Sequence, residues 1–177
     1  MKKFFLTAFA VVSFSAMAQV SDFQYSKYAL YGTINVMNFG TTNQVMLKVG
    51  NDQQAARYTS MVYLYHTTNA TSVSLEAYVG RERRKTVGST RIYYGMDGGL
   101  STNGYLSDPT GGSYNSVGLH ARPFFGLDIP LTKHLVVGAE IITVASFDLS
   151  WTSSEVTTNL SLYSGNNTAT LKLGYHF

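Results

Sequence analysis

The chain has 177 residues, with 13 Lys and Arg against 10 Asp and Glu and no cysteine. That length suits one domain, and the absence of cysteine removes disulfides from any account of its stability. A nominal charge of +3, with no basic tract carrying interleaved aromatics, is not the balance of a nucleic-acid binder.

The first element reads as an export signal. Met1-Lys2-Lys3 is a basic start, Phe4 to Val12 is mostly apolar, and Ala16-Met17-Ala18 before Gln19 supplies the small residues of a cut after Ala18. Thr7, Ser13 and Ser15 interrupt the run, which falls short of the roughly 18–20 residues of a spanning helix. A cleaved signal peptide over 1–18 leaves one domain, 19–177, with 11 basic against 10 acidic residues once Lys2 and Lys3 are gone. No long apolar run follows, so any insertion into lipid has to use strands.

After a polar lead-in at 19–27, period-two alternation predicts strand after strand. Residues 28–39 set Tyr28, Leu30, Ile34 and Val36 against Tyr31, Thr33 and Asn35. Past a break at 40–42, 43–50 alternates Val45, Leu47 and Val49 with Met46 and Lys48. Turns at 51–54 and 67–70 bracket a strand at 55–66 and lead to 71–82, where Val73, Leu75, Ala77 and Val79 oppose Ser74, Glu76, Tyr78 and Gly80. Arg81-Glu82-Arg83-Arg84-Lys85 and Gly88 read as a charged, solvated turn into 89–101, where Ile92, Tyr94 and Met96 oppose Arg91, Tyr93 and Asp97. Residues 102–113 collect the breakers of a loop. In 114–128, Val117, Leu119, Ala121, Pro123, Phe125 and Leu127 face away from His120, Arg122, Phe124, Gly126 and Asp128. Pro123 is awkward there, since it cannot donate to a ladder. A turn at 129–133 leads into 134–150, with Leu135, Val137, Ala139, Ile141, Phe147 and Leu149 against Gly138, Glu140, Ser146 and Asp148. A second long loop, 151–166, with some extra strand near Asn159, precedes the last strand, 168–177.

If the last strand runs inward, both long loops and the turn 67–70 fall outside and the turns 129–133 and 83–88 inside, and the segment before 55 must hold an even number of strands. The pattern predicts an all-β fold, an eight-stranded antiparallel up-and-down transmembrane β-barrel. The 13 tyrosines suit rims where a ring can be apolar and its hydroxyl wet.

Three stretches carry a family likeness: the closing LKLGYHF, the ARPFFGLDIPLTKHLVVGAE hairpin, and RIYYGMDGGL after a basic turn. With them the chain resembles small OmpA/OmpX-like outer-membrane barrels, the outer membrane protein beta-barrel domain. The resemblance implies a Gram-negative cell outer membrane, contact with its lipid and lipopolysaccharide, and a C-terminal signal (Leu171, Leu173, Tyr175, Phe177) read by the barrel assembly machinery. It implies anchoring or surface contact through the outer loops, whose Tyr105, Leu106, Pro109, Trp151, Leu160 and Tyr163 are suited to a partner. It does not imply a particular reaction.

Inside such a barrel the polar side chains have to meet. If Asp128 faces His134 across the turn, Arg122 faces Glu140, and both point inward. His120, Glu76, Arg91, Asp97 and Lys172 join this inward polar network, which fills the lumen rather than leaving a pore. The four histidines, His66, His120, His134 and His176, lack metal-ligand spacing, and no metal, cofactor or catalytic residue is expected. Ser116 and His120 share a face with Asp128 but sit far apart along the strand, so an enzyme is not expected. Two rivals stay open. A lipid-modifying hydrolase or acyltransferase needs a serine, a histidine and a carboxylate converging at the outer rim, and a soluble periplasmic lipocalin-like binding barrel needs its apolar face inside.

Overall fold

In the computed structural model the described residues are 25–35, 44–66, 71–107, 115–152, 155–161 and 168–177. The expected signal peptide, residues 108–113 of the first long loop with Pro109, and residues 162–166 of the second with Tyr163 lie outside them. The strands are β1 (Tyr28–Asn35), β2 (Gln44–Gly50), β3 (Gln54–His66), β4 (Thr71–Val87), β5 (Thr90–Ser107), β6 (Asn115–Pro130), β7 (Leu135–Ile142), β8 (Ala145–Trp151), β9 (Val156–Ser161) and β10 (Thr168–His176). All pair antiparallel in the order β5-β4-β3-β2-β1-β10-β7-β6-β8-β9, and a further β5–β6 pairing closes the sheet.

Two of the staves are broken in two. β7 and β8 lie end to end along β6 in a single register, Leu127 opposite Ala139 and Leu119 opposite Phe147. The break falls opposite Pro123, whose carbonyl accepts from the Thr143 N–H at 3.0 Å. Having no N–H, proline gives nothing back to the ladder. The next stave is likewise divided, β9 pairing with β8 and β10 with β7, but in two registers, Ser161 opposite Ser146 and Thr168 opposite Ile142. The molecule is thus an all-β, eight-stranded antiparallel closed barrel, as the alternation predicts. Tyr25–Lys27 and Phe177 lie at one rim, called the base here. A row of partners that begins at Tyr28, the first residue of β1, passes Val49, Ala56, Arg81 and Met96 and meets β6 at Pro123, in mid-strand. Strands tilt to close a barrel in this way.

Three local expectations change. The charged stretch 81–85 is strand, not turn: β4 runs to Val87, and the reversal is only Gly88–Ser89, with Gly88 at φ 62°. Alternation then sends Glu82 and Arg84 inward and leaves Arg81, Arg83 and Lys85 outside. The turn at 129–133 moves to 131–134, where Thr132 Oγ1 accepts from the His134 and Leu135 N–H groups. Asp128 consequently pairs with Gly138 rather than His134, and Glu140 with Gly126 rather than Arg122. Finally, both long loops give way in part to strand, since β5 continues through 102–107 and β9 occupies 156–161.

The two faces differ sharply. Leu30, Leu47, Tyr58, Val62, Val79, Met96, Leu119, Phe125, Ile141, Phe147 and Leu173 are all exposed on the outer wall, while fourteen polar or charged residues among those described are buried. An exposed apolar band around a closed barrel is the surface a membrane-spanning barrel presents. A lipocalin-like barrel has the reverse distribution.

Candidate functional site

The buried polar side chains form one array in the lumen, and every stave contributes, β1 through Tyr31. At its centre Glu140 of β7 receives both ends of the Arg57 guanidinium, at 2.9 and 3.0 Å, and Lys172 Nζ of β10 at 2.9 Å. A forked guanidinium–carboxylate pair of this kind fixes geometry as well as charge. Arg57 Nη2 also lies 3.3 Å from Asp97 Oδ2, and its guanidinium stacks 3.6 Å from the Phe124 ring centre. Lys172 bonds the Tyr93 hydroxyl.

Toward the base, Lys48 Nζ sits 3.0 Å from Glu82 Oε2 and 3.5 Å from Asp128 Oδ2. Arg84 Nε lies 2.5 Å from Glu82 Oε1. The Tyr31 hydroxyl donates to Asp128 Oδ2 at 3.0 Å and meets His176 Nε2 at 3.1 Å. Arg91 reaches out to the exposed Asp52 at 3.2 Å and lies against the Tyr25 ring. Burial pushes the Tyr25 phenol up, so it stays protonated and donates to the Ser89 and Asp128 carbonyls.

Six buried cations (Lys48, Arg57, Arg84, Arg91, Arg122, Lys172) face four buried carboxylates (Glu82, Asp97, Asp128, Glu140) among the described residues. Aromatic faces take up part of the excess. Lys48 and Lys172 lie 4.1 and 4.3 Å from the Tyr93 centroid, and Arg122 lies 3.8 Å from that of Tyr78. A desolvated cation over a ring gains from the ring quadrupole. Four of the 13 tyrosines, Tyr25, Tyr31, Tyr78 and Tyr93, therefore serve the lumen array, while Tyr28, Tyr58, Tyr94 and Tyr175 face outward.

The structure places Arg91, Asp97, Arg122, Asp128, Glu140 and Lys172 in this buried set. Arg122 has Asp97, not Glu140, as its cross-strand neighbour. Glu76 is half-buried nearer the far rim, where it accepts from Tyr78 at 2.6 Å. Lys48, Arg57, Glu82, Arg84 and His176 are additional members. Each sits on the inward parity of its strand, and that parity was the signal available for them. Of the C-terminal residues, Leu171, Leu173 and Tyr175 face out, and the Phe177 N–H donates to the Tyr28 carbonyl at 3.2 Å.

His120 lies above this array. Its neighbour is Ser101, with Oγ 2.6 Å from Nε2, and neither Ser116 nor Asp128 is close to it by any described contact. Asp148 comes near from across Gly118, where an added Cβ would meet Asp148, Ser101 and His120 together. The carboxylate, however, is bonded to Ser146 at 2.8 Å, and His120 Nδ1 has no hydrogen-bond partner. In a Ser-His-Asp relay the carboxylate holds Nδ1; here that link is missing. Among the described residues no group of three His, Asp or Glu is placed to hold a metal. A comparison with known protein families finds no model that matches this chain, and none of the curated proteins matches it either.

Proposed function

We propose that this chain is an integral barrel of a Gram-negative outer membrane, of the small OmpA/OmpX-like kind, with a plugged lumen and a structural or surface-contact role. The observation that carries this reading is the distribution of side chains on a closed barrel: an apolar band outside and a cross-linked polar array inside. The base, with its short turns, then faces the periplasm, and the β8–β9 hairpin and the end of β5 at 102–107 face the exterior. Trp151 closes that hairpin opposite the exposed Val156, and Leu160 is exposed lower on β9 opposite Phe147, so the hairpin offers apolar groups to a partner or to the lipid headgroups. Lipopolysaccharide surrounds this outer half, and the barrel assembly machinery reads the strand ending at Phe177. The reading includes no catalytic step.

The test is gel mobility of outer-membrane fractions with and without boiling, for the wild-type chain and for one lacking Phe177. Heat-modifiable, membrane-bound protein that assembles poorly without Phe177, and that passes no current in a planar bilayer, is the expected result. Soluble protein indifferent to the deletion removes the membrane reading, and steady conductance removes the plug.

A further inference from the structure

The lumen array accounts for Glu82 and Arg84 but leaves Arg81, Arg83 and Lys85 on the outer wall. We propose that these three side chains bind the headgroup of an anionic glycerophospholipid in the periplasmic leaflet. The proposal rests on the membrane reading above and adds a ligand class and a site to it.

Three observations meet at this strip. First, the cations alternate along one strand, so they share a face over about 13 Å at ~3.3 Å per residue. A bilayer's headgroup region is only about 5–8 Å deep on each side, so a tilted strip this long runs from the edge of the hydrocarbon through the phosphates. Second, its neighbours on β5 are apolar and outward-facing: Met96 beside Arg81, Tyr94 beside Arg83 and Ile92 beside Lys85. They offer a wall for acyl chains next to the charges. Third, no described carboxylate shares that wall. Glu82, Asp97, Asp128 and Glu140 are buried in the lumen, and Asp52 sits in the β2–β3 turn against Arg91. Glu76 and Asp148 are engaged near the far rim by Tyr78 and Ser146, and Glu155 lies in the β8–β9 hairpin.

Arg81 shows how the strip is used. It is the member nearest the apolar band, one alternate position below Val79, and its guanidinium bends to bond Gln54 at the start of β3. Long basic side chains on a lipid-facing wall bend toward the interface in this way. The bend brings the guanidinium toward Arg83, so the cations gather where phosphates lie. A zwitterionic headgroup carries its own ammonium and gains little from three cations, whereas an anionic one has charge to spare for them.

The experiment uses the full-length protein, refolded into micelles holding equal amounts of phosphatidylglycerol and phosphatidylcholine and released for native mass spectrometry. The wild-type barrel should retain phosphatidylglycerol in preference. In R81Q/R83Q/K85Q that preference should fall by about fivefold for each cation removed, the effect expected of one basic side chain near an anionic surface. K133Q, which removes an exposed charge on the β6–β7 turn, should leave it unchanged. Boiled and unboiled gel mobility of every variant shows that the barrel is folded. A folded wild-type barrel that retains both lipids equally overturns the site, as does a folded triple variant that keeps the preference. A wild-type chain that never gives a heat-modifiable band overturns the membrane reading itself, and the lipid site with it.

Discussion

The lower and upper parts of the lumen obey the same inward alternation but are built differently. Around Asp128 and Glu140 the inward residues are long and charged, and they reach across the barrel. Tyr31 meets Asp128, Arg57 meets Glu140 and Lys172 meets Tyr93 over 97, 83 and 79 residues of sequence. Around Gly118 the inward residues are short, and they bond near neighbours: Ser101 to His120 over 19 residues, Ser146 to Asp148 over two. The first group is buried and the second half-buried. Side-chain length decides whether a polar lumen acts as a cross-brace or only as a lining. Cross-bracing by charge carries a condition: removing one partner strands another charge where water cannot reach it.

The sharpest way to break the contrast is Glu140→Ala. It leaves Arg57 and Lys172 without their shared carboxylate, and it should destabilise the barrel by ~3–5 kcal/mol, the cost of an uncompensated buried charge. Urea unfolding in vesicles, followed by tryptophan fluorescence at Trp151, measures it. Little change would mean that water already reaches the centre and that the lumen is not plugged.

Next in size is Gly174→Val. The Tyr31 ring packs across the space where the Gly174 side chain would be. A branched side chain there pushes Tyr31 off Asp128 and His176, at a cost of ~1–3 kcal/mol for overpacking a tight site. Gly32→Val is the matched control, because nothing lies within 4 Å of a Cβ at that position. Equal losses at the two glycines would show that backbone freedom matters here and packing of Tyr31 does not.

The same contrast marks how far the sequence could be read. Inward charges in otherwise apolar strands were legible, because one lysine between Leu171 and Leu173 declares a face. The β6–β7 register was not. The observed pairing differs from the expected one by an even number of residues, and an even shift changes a residue's partner without turning its side chain to the other face. Arg122 and Glu140 are both buried and yet are not opposite each other. The strand content of 102–107 and 156–161 was hidden for another reason. Thr, Ser, Asn and Gly dominate there, and β9 is solvent-exposed on both faces, so no apolar alternation is written. The run 81–85 was misread by composition, although its parity separated inner from outer charges.

The smallest effect should come from the upper lumen. Ser101→Ala removes the hydroxyl from a half-buried pair that touches no distant stave, so the loss should be about 0.5–1.5 kcal/mol, the net worth of one ordinary hydrogen bond. His120 is half-buried, so water can take the place of the hydroxyl. Because His120 Nδ1 is not held by Asp148, the same variant should also leave the hydrolysis of a p-nitrophenyl ester in mixed micelles at background. A fall in a measurable wild-type rate would reverse that assignment: Ser101 would then be a nucleophile working with His120. A stability loss as large as that of Glu140→Ala, with no rate to lose, would instead mean that the short residues brace the far half as firmly as the charges brace the base.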